Sequence, residues 1–225
     1  MRRAPAKGRF ITLEGGEGAG KSVQARRLAE RLQELGLAVV LTREPGGSPD
    51  AEALREVILS GAAERFGAVG EALLFSAARI DHIDNTIRPA LRRGDWVVCD
   101  RFADSTRAYQ GAAGQLDPEL LASLERVVVG ACRPHLTLIL DLPVVEGLAR
   151  AAARRGPGEQ ADRFEGEGLA FHETLRRAFL SIARAEPGRC AVIDAGAGED
   201  EVAEAIWAVV RERLAGALKR IAEAR

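Results

Sequence analysis

The stretch "LEGGEGAGKS", residues 13–22, decides the fold of this chain. From Gly15 to Ser22 it matches G-x-x-x-x-G-K-[ST], the pattern of a loop whose backbone N–H groups surround phosphates. The loop follows a short apolar run and precedes a segment with helical periodicity, as a phosphate-binding loop must. It also contains Glu17, and Glu14 comes directly before it. Because a carboxylate facing phosphates would be repelled, Glu17 raises the question of what else the site binds.

The glycine-rich loop carries the groups that hold a nucleotide. Glycines permit positive φ and close approach of the backbone, and successive N–H groups then point at the phosphates. Lys21 would reach the β and γ phosphates, and the Ser22 hydroxyl would bind Mg²⁺. The predicted nucleotide-binding residues are Gly15, Gly16, Glu17, Gly18, Ala19, Gly20, Lys21 and Ser22. No G-x-G-x-x-G pattern fits this turn, which excludes a dinucleotide-binding loop here.

Composition excludes several other classes of protein. The chain has 225 residues, of which 47% are hydrophobic and 29% charged, with a net charge of −1. These values are typical of a globular protein, and we expect neither a nucleic-acid nor a membrane partner. No apolar run approaches the roughly 20 residues needed to span a bilayer. Residues 1–8 are basic but lack an apolar region, so we predict a frayed leader and no secretory signal.

The three cysteines indicate the compartment. Cys99, Cys132 and Cys190 form no C-x-x-C pair and lie in or beside apolar runs. We therefore interpret them as buried, reduced thiols of a cytoplasmic protein.

The pattern of apolar runs predicts an α/β fold. Five continuous apolar runs suit strands of a parallel sheet that is buried on both faces. They are Phe10–Leu13, Ala38–Leu41, Trp96–Cys99, Leu136–Leu140 and Cys190–Ile193. Helices are predicted to begin near Lys21, Pro49, Val69, Pro118, Val144, Leu169 and Asp200. We expect a single domain over residues 1–225, with helices on both faces of the sheet and right-handed crossovers.

Two segments outside these elements are distinctive. Residues 154–168, "RRGPGEQADRFEGEG", are glycine-rich and charged, and we expect a mobile surface segment there. The predicted lid covers residues 150–168. The tail from Arg211 is interpreted as the continuation of an amphipathic helix with a solvated face.

A second motif, "WVVCDR" at residues 96–101, ends a predicted strand with Asp100. A carboxylate at this place can hold Mg²⁺ directly or through water, although it can also simply cap a turn. Arg101 follows it at the carboxyl edge of the sheet, where ligands of open α/β sheets bind. The only asparagine, Asn85, excludes the N-K-x-D motif of GTPases, and the three histidines lack metal-ligand spacing. A kinase for a small acceptor remains.

The chain resembles the thymidylate kinase family of the bacterial type. The matching segments are "FITLEGGEGAGKS", "TREPGGSP", "LLFSAAR", "VVCDRFADSTRAYQG", "LILDLP", "DRFE" and "LAFHE", in the order of the family from Phe10 to about Val210. The resemblance implies a P-loop NTPase-type fold with a mobile lid, and ATP- and Mg²⁺-dependent phosphorylation of dTMP to dTDP. It also implies a homodimer.

The resemblance suggests an answer for Glu17. The matching residue of the family lies near the acceptor sugar and its phosphate. We therefore predict that Glu17 accepts a hydrogen bond from the sugar 3′-hydroxyl, directly or through water, or that it pairs with an arginine on the acceptor side. For Glu14, a supporting role behind the site and a purely structural role stay open.

The resemblance also predicts the acceptor pocket. Phe75 would stack on thymine and Arg79 would hydrogen-bond its edge, since residues four apart share a helix face. Without the resemblance, Phe75 could instead belong to the core, with Arg79 facing solvent. Arg101 and Arg55 would grip the 5′-phosphate, and Arg43 and Pro45 would line the same side. The remaining predicted contacts are Ser105, Thr106 at the base N3, Tyr109 against the 2′ position, and Gln110. Tyr109 could instead be an anchor in the core, and Arg55 could instead occupy an exposed position on a helix.

The catalytic arginine is expected in the lid, because the bacterial type carries it there and the phosphate loop has none. The basic cluster consists of Arg150, Arg154 and Arg155. Arg154 is the first candidate and Arg155 the second, and Arg163 could also reach phosphate. Together with Lys21 and Arg101, Arg154 and Arg155 form the predicted catalytic set.

Three positions depart from the usual pattern of the family: Phe102, Arg107 and Ser48. We expect Arg107 to affect the acceptor pocket or the dimer surface. Two rivals to dTMP phosphorylation remain. One is a related P-loop kinase that acts on another nucleoside monophosphate or a deoxynucleoside. The other is an inactive nucleotide-binding module.

Overall fold

The computed structural model describes residues 8–155 and 163–222. Five strands form one sheet: β1 (Phe10–Gly15), β2 (Val39–Arg43), β3 (Trp96–Asp100), β4 (Leu136–Asp141) and β5 (Cys190–Asp194). All five predicted strands are confirmed. Each continues for one or two residues beyond its apolar run, because the backbone hydrogen bonds of the ladder do not depend on side-chain polarity. These extra residues place polar side chains such as Asp100 at the carboxyl edge.

The sheet is entirely parallel, with the order β2-β3-β1-β4-β5. Its central strand, β1, pairs with β3 on one side, where Leu13 lies opposite Asp100, and with β4 on the other. The chain passes from β1 to β2 and β3 on one side of β1 and then crosses from β3 to β4 and β5 on the other, so a crevice opens at the carboxyl end of β1. The glycine-rich loop begins there.

The helices cover both faces of this sheet, as predicted. They are α1 (Lys21–Glu34), α2 (Pro49–Leu59), α3 (Gly67–His82), α4 (Arg88–Arg93), α5 (Ala103–Thr106), α6 (Pro118–Val128), α7 (Val144–Arg154), α8 (Leu169–Ala185), α9 (Glu199–Arg213) and α10 (Ala215–Ala222). The seven predicted helix starts are confirmed within two residues. Asp117 caps α6 as its side chain accepts from the backbone N–H of Glu119.

The short helices α4 and α5, a 3-10 turn at Glu64–Phe66 and two wide turns were missed. Wide π-helical turns at Ile83–Ile87 and Arg107–Ala113 join α3 to α4 and extend α5. Short helices and wide turns have too few residues to establish a 3.6-residue period, so apolar periodicity does not reveal them.

Two boundaries differ from the predictions. The helix α7 runs to Arg154, so residues 150–154 of the predicted lid are helical. The tail is interrupted at Leu214, and Leu214 and Ala217 are buried in the core, so the interpretation as a solvated face was wrong in part. The centre of the predicted lid, residues 156–162, lies outside the described residues. So does the predicted leader, apart from Gly8.

The core has a layer on each face of the sheet. One layer packs α1 and α9 against Ile11, Leu13 and Leu138, and the opposite layer includes Phe179 of α8 and Tyr109. Cys99, Cys132 and Cys190 are buried and unpaired, as predicted. Among the described residues no helix is both long and apolar enough to cross a membrane.

Candidate active site

A cavity of about 320 Å³ opens at the carboxyl edge of the sheet, beside the glycine-rich loop. It brings together the predicted donor side and the predicted acceptor side. The residues around it are Glu17, Gly18, Gly20, Lys21, Ser22, Arg43, Glu44, Pro45, Arg55, Leu59, Phe75, Arg79, Asp100, Arg101, Phe102, Ser105, Thr106, Tyr109, Gln110, Arg154, Phe164 and Glu165. Of the predicted site residues, Gly15, Gly16, Ala19 and Arg155 are not in this lining.

The loop conformation depends on glycine at several positions, among them Gly18 and Gly20. Gly18 has a φ of 67°, and a Cβ there would lie 1.9 Å from the carbonyl oxygen of Gly147 in α7. Gly20 has a φ of 82° immediately before α1, and a Cβ there would meet open space. The loop is therefore pressed against α7 on one side and open at the start of α1, where helix N–H groups can receive an anion.

Lys21 lies buried inside the loop. Its Nζ donates to the carbonyl oxygen of Gly16 at 2.6 Å. Burial, together with the charge of Arg101, lowers the pKa of Lys21 to about 8, against the opposing effects of Glu17 and Asp100. Bound phosphates would raise this pKa, since negative charge stabilises the ammonium form.

Ser22 and Asp100 meet at the end of β3. The Ser22 hydroxyl donates to Oδ2 of Asp100, whereas the buried Oδ1 has no hydrogen-bond partner among the described residues. A hydroxyl beside an unsatisfied carboxylate oxygen fits the few protein ligands that Mg²⁺ takes when phosphates supply the others. Within the described part of the chain, no group of three or more His, Cys, Asp or Glu side chains could hold a metal alone.

Glu17 contacts Arg101 and Tyr109, two of the residues predicted for the acceptor side. Its Oε1 accepts from Nη2 of Arg101 at 2.6 Å and from the Tyr109 hydroxyl at 2.5 Å. Burial opposes ionisation of Glu17, but the charges of Arg101 and Lys21 lower its pKa to about 2. The pairing with an acceptor-side arginine, one of the two predicted arrangements, is therefore present, while contact with a sugar hydroxyl stays a prediction.

Arg101 is held in an unusual backbone conformation. Its φ is 70°, in the left-handed region, and its backbone N–H donates to the carbonyl oxygen of Leu13 at 2.9 Å. Its Nη1 donates to the carbonyl oxygen of Gly15 at 3.2 Å. Left-handed non-glycine residues are costly and cluster at functional sites. This turn directs the guanidinium across the mouth of the phosphate loop.

Glu14 supports that turn from behind. Its Oε1 accepts from the backbone N–H groups of Phe102 and Ser105 at 2.8 and 3.3 Å, and its Oε2 contacts the Ser105 hydroxyl at 2.6 Å. Burial and the nearby Asp104 raise the pKa of Glu14 to about 8. Glu14 is fully buried and does not line the cavity, so it supports the site without facing it.

The acceptor side of the cavity combines an aromatic group and an arginine, as predicted. Phe75 and Arg79 both line it from α3. Arg79 is buried, and its Nη1 donates to the Thr106 hydroxyl at 3.0 Å while its Nη2 donates to the carbonyl oxygen of Phe102 at 3.1 Å. Arg79 and Thr106 therefore act as one hydrogen-bonding edge, and Gln110 lines the cavity beside them.

Tyr109 is anchored in the core and also lines the cavity, whereas its contact with a 2′ position stays a prediction. Its ring packs edge-on against Phe164 at 5.2 Å and Phe171 at 6.2 Å, which anchors it in the core. Its hydroxyl reaches Glu17 at the cavity. Phe164 also lies 6.2 Å from Phe75, and it was not among the predicted site residues. It belongs to the "DRFE" segment, in which the sequence alone does not distinguish a ring at the site from a ring in the core.

The predicted phosphate-gripping residues near β2 also line the cavity. Nη1 of Arg55 donates to the carbonyl oxygen of Pro45 at 2.7 Å, which fixes Arg55 against the loop after β2. Arg43 pairs with Glu52 at 3.0 Å. Glu44, between them, also lines the cavity but was not predicted.

The arginines around the predicted lid point in different directions. Arg154 lines the cavity and lies 3.4 Å from Oε1 of Glu165, whereas Arg155 lies 3.8 Å from Oε2 of the same residue. Arg163 pairs with Glu64 and Glu71 at 2.9 and 3.0 Å, away from the lining. Arg150 donates to the carbonyl oxygen of Ala195 at 2.9 Å. Of these four, Arg154 alone lines the cavity.

Four lining residues, Arg79, Arg101, Thr106 and Tyr109, form what we call the acceptor wall after their predicted role, and Arg107 lies behind it. Arg107 pairs with Asp104 at 2.9 Å and Glu186 at 2.5 Å, and Arg189 binds Asp104 from the other side at 2.6 Å. Arg107 is not part of the cavity lining. It contacts Asp104 of α5, the helix that contributes Ser105 and Thr106 to the lining, from outside the pocket.

The parallel sheet, the glycine-rich loop with Lys21, and the adjoining cavity lined with arginines define a nucleotide kinase of the P-loop class. The sequence profile described as "Thymidylate kinase" matches residues 13–206. The chain belongs to the thymidylate kinase family.

Individual relatives agree with this assignment. A thymidylate kinase of Bradyrhizobium sp. (strain BTAi1 / ATCC BAA-1182) is 58% identical over 214 residues, covering 95% of this chain and 94% of its own. Another, of Afipia carboxidovorans, is 54% identical and covers 99% of this chain and 97% of its own. The crystal structure of thymidylate kinase from Ehrlichia chaffeensis is similar, with a TM-score of 0.71 and 33% identity, over 91% of this chain and 99% of that one.

Proposed function

We propose that this protein transfers the γ-phosphoryl group of ATP to dTMP, giving ADP and dTDP, and that the reaction requires Mg²⁺. The observation that carries the proposal is the pairing of Glu17 with Arg101. Instead of opposing a triphosphate, the carboxylate orients an arginine that stands between the phosphate loop and the pocket of Phe75 and Arg79. The loop thus serves two substrates, and family membership supports the same reaction.

The donor phosphates would bind to the backbone of the loop and to Lys21. Ser22 and Asp100 would hold Mg²⁺, which supplies charge neutralisation for the transferring group. Arg154 enters the cavity beside these groups and would stabilise the negative charge that develops during transfer. Positioning and charge stabilisation suffice for phosphoryl transfer, so no covalent intermediate is required.

Different residues would hold the phosphate, the base and the sugar of the acceptor. Arg101 and Arg55 would bind the 5′-phosphate, because guanidinium groups match phosphate bidentately. Phe75 would stack on thymine, with Arg79 and Thr106 at the edge of the base. Tyr109 would close the space at the 2′ carbon and disfavour ribonucleotides.

A coupled assay of ADP release tests the reaction. The purified chain is supplied with ATP and with dTMP, dUMP, CMP, AMP or thymidine, with Mg²⁺ or with EDTA in its place. We expect the highest kcat/KM with dTMP and no turnover in EDTA. A higher kcat/KM with another acceptor would identify the rival kinase, and the absence of transfer to any acceptor would favour the inactive binding module.

The cysteines are consistent with this chemistry and with a cytoplasmic location, which we also propose. Burial raises the pKa of the Cys99 thiol well above its usual range and raises those of Cys132 and Cys190 to about 11. A thiol in this state is a poor nucleophile, and a reducing compartment keeps it unpaired.

We also propose that the protein is a homodimer that pairs through α3. Phe66, Val69, Leu73 and Ile80 are 44–53% exposed, and their spacing places them along one side of this helix. A row of exposed apolar side chains of this kind marks an interaction surface. Leu73→Glu should convert the dimer to a monomer in light scattering, while Glu167→Gln, outside that row, should not.

A further inference from the structure

A series of hydrogen bonds joins Thr42, His82, Glu44 and Arg79. It begins outside the cavity, behind the acceptor wall, and ends at the cavity. The hydroxyl of Thr42 lies 2.7 Å from Nε2 of His82, and Nδ1 of His82 lies 2.9 Å from Oε1 of Glu44. The other oxygen of Glu44, Oε2, accepts from Nε of Arg79 at 2.7 Å. Thr42 and His82 are absent from the cavity lining, whereas Glu44 and Arg79 belong to it.

This series of hydrogen-bonded side chains is enclosed by protein. His82 is completely buried, and Glu44 and Arg79 are each 4% exposed. Gly47 covers the outer end, with a φ of 86°, and a Cβ there would lie 2.4 Å from both His82 Nε2 and the Thr42 hydroxyl oxygen. Water therefore cannot replace these partners without moving the loop, and a lost contact would leave a buried polar atom unsatisfied.

With an ionised Glu44 and a neutral His82 ring, the donors and acceptors along this series of hydrogen bonds have one consistent arrangement. Glu44 is acceptor-only when ionised, so His82 must donate to it through Nδ1–H. In the neutral ring Nε2 is then the acceptor and receives the Thr42 hydroxyl proton. Each residue thereby fixes the orientation of the next, from β2 through α3 to the guanidinium of Arg79.

Arg79 uses three of its nitrogens within the protein, on Glu44, Thr106 and Phe102. A guanidinium has five N–H donors, so two are not used by these contacts, and Arg79 lines the cavity. Their direction is set by the plane of the group, and that plane is set by the three partners. Glu44 is the charged one, and its charge-assisted bond is the strongest of the three.

We propose that His82, supported by Thr42, is a positioning residue for the acceptor base: it holds Glu44 so that Arg79 presents its free N–H groups to a carbonyl edge of a pyrimidine. The role rests on the proposed function, since it assumes that Arg79 faces the base of the acceptor. His82 itself touches no substrate.

The first test compares His82→Leu with the unsubstituted protein in steady-state kinetics. An unsatisfied buried partner costs about 1–3 kcal/mol, and 1.4 kcal/mol corresponds to tenfold, so we expect the KM for dTMP to rise about tenfold. The KM for ATP should stay within about twofold, because the series of hydrogen bonds ends on the acceptor side only. His82→Asn, which keeps a donor near the Nδ1 position, should restore part of the affinity for dTMP.

A matched control is His135→Leu. His135 also makes a hydrogen bond through Nδ1, although as the acceptor, from the backbone N–H of Phe10 at 3.0 Å, and it lies directly before β4, at the opposite edge of the sheet. Both KM values should be unchanged in this variant. A general loss of folded protein would lower the apparent kcat and leave the KM for dTMP unchanged, so a change in KM separates positioning from a structural effect.

A double-mutant cycle with Arg79→Met shows whether His82 acts through Arg79. If it does, His82→Leu should add little to the effect of Arg79→Met, whereas independent sites would give additive changes. Thr42→Val, which removes the outermost hydroxyl, should raise the KM for dTMP about threefold. This variant tests the same proposal if His82→Leu does not fold.

A KM for dTMP that stays at the unsubstituted value in Thr42→Val and in any folded His82→Leu, or strict additivity in the cycle, would overturn the proposal. Failure of the proposed function would be recognised separately, since the unsubstituted protein would then not phosphorylate dTMP.

Discussion

The acceptor wall and the lid side of the cavity are built in different ways. The acceptor wall, meaning Arg79, Arg101, Thr106 and Tyr109, is buried and internally bonded, with polar contacts of 2.5–3.1 Å. On the lid side, the Arg154 side chain is 65% exposed and pairs with Oε1 of Glu165 at 3.4 Å. The side chains of Arg79 and Arg101 are 5% and 16% exposed.

This difference teaches how the two sides can contribute to catalysis. Groups locked in place before the substrate arrives lose little freedom on binding, so the acceptor wall favours affinity and orientation. A weakly held, exposed arginine can instead move to the charge that develops during transfer, which favours kcat. Mutations on the two sides should therefore change different kinetic parameters.

The largest effect is expected from Arg101→Met, on the acceptor wall. This change removes the proposed grip on the acceptor phosphate and leaves Glu17 buried without its charged partner. Breaking a buried pair costs about 3–5 kcal/mol, so kcat/KM for dTMP should fall by about 10³-fold or more. Arg93→Met, which removes an arginine that is 60% exposed and paired with Asp95, should have no effect on kcat/KM. A loss below tenfold would mean that Arg101 is not in the acceptor site.

A smaller effect, on kcat alone, is expected from Arg154→Ala on the lid side. We expect kcat to fall about 10²-fold, with both KM values within about twofold, because the interaction forms only in the transition state. Arg155→Ala is the matched control, since Arg155 is the neighbouring lid arginine outside the cavity lining. If Arg155→Ala lowers kcat and Arg154→Ala does not, the roles of the two arginines are exchanged.

The smallest effect concerns the stability of the turn at Arg101, which Glu14 supports from behind. Because the pKa of Glu14 is raised from 4.5 to about 8, the folded protein binds a proton that the unfolded chain has released between these pH values. Stability from this group is present at low pH and is lost as the pH rises from about 4.5 to about 8. Glu14→Gln mimics the neutral acid and escapes this loss.

The Tm of Glu14→Gln relative to the unsubstituted protein should therefore rise between pH 5 and pH 9. A shift of about 3 °C is the size that ~1 kcal/mol produces in a domain of this length. Thermal unfolding followed by circular dichroism at both pH values measures the difference. A difference that is the same at both values would show that Glu14 is ionised throughout.

Much of the fold was predictable because the sheet is parallel and buried on both faces. Such strands must be continuously apolar, and all five were found from that property. The helices long enough to repeat their apolar spacing were found as well. The short helices α4 and α5 and the wide turns were missed, since their shape is imposed by neighbours and not by a period of their own.

Much of the lining of the cavity was also predictable, because the glycine-rich loop and the motifs at the strand ends require particular side chains at particular spacings. Glu44 and Phe164 were missed even though both lie within quoted motifs. Nothing in their spacing distinguishes a carboxylate that holds Arg79, or a ring that meets Tyr109, from the polar and aromatic residues of an ordinary surface. Only contacts between distant segments identify them.

By itself, the sequence determined the class of fold, the phosphate loop and the family, since these depend on local backbone requirements and on apolar spacing along the chain. The tertiary structure alone decided which way the charged side chains point. It turned Glu17 towards Arg101, directed Arg107 away from the pocket, and joined His82 to Arg79 through Glu44. The physical reason is that a charge buried on folding must find its partner in space, and that partner can lie anywhere in the chain.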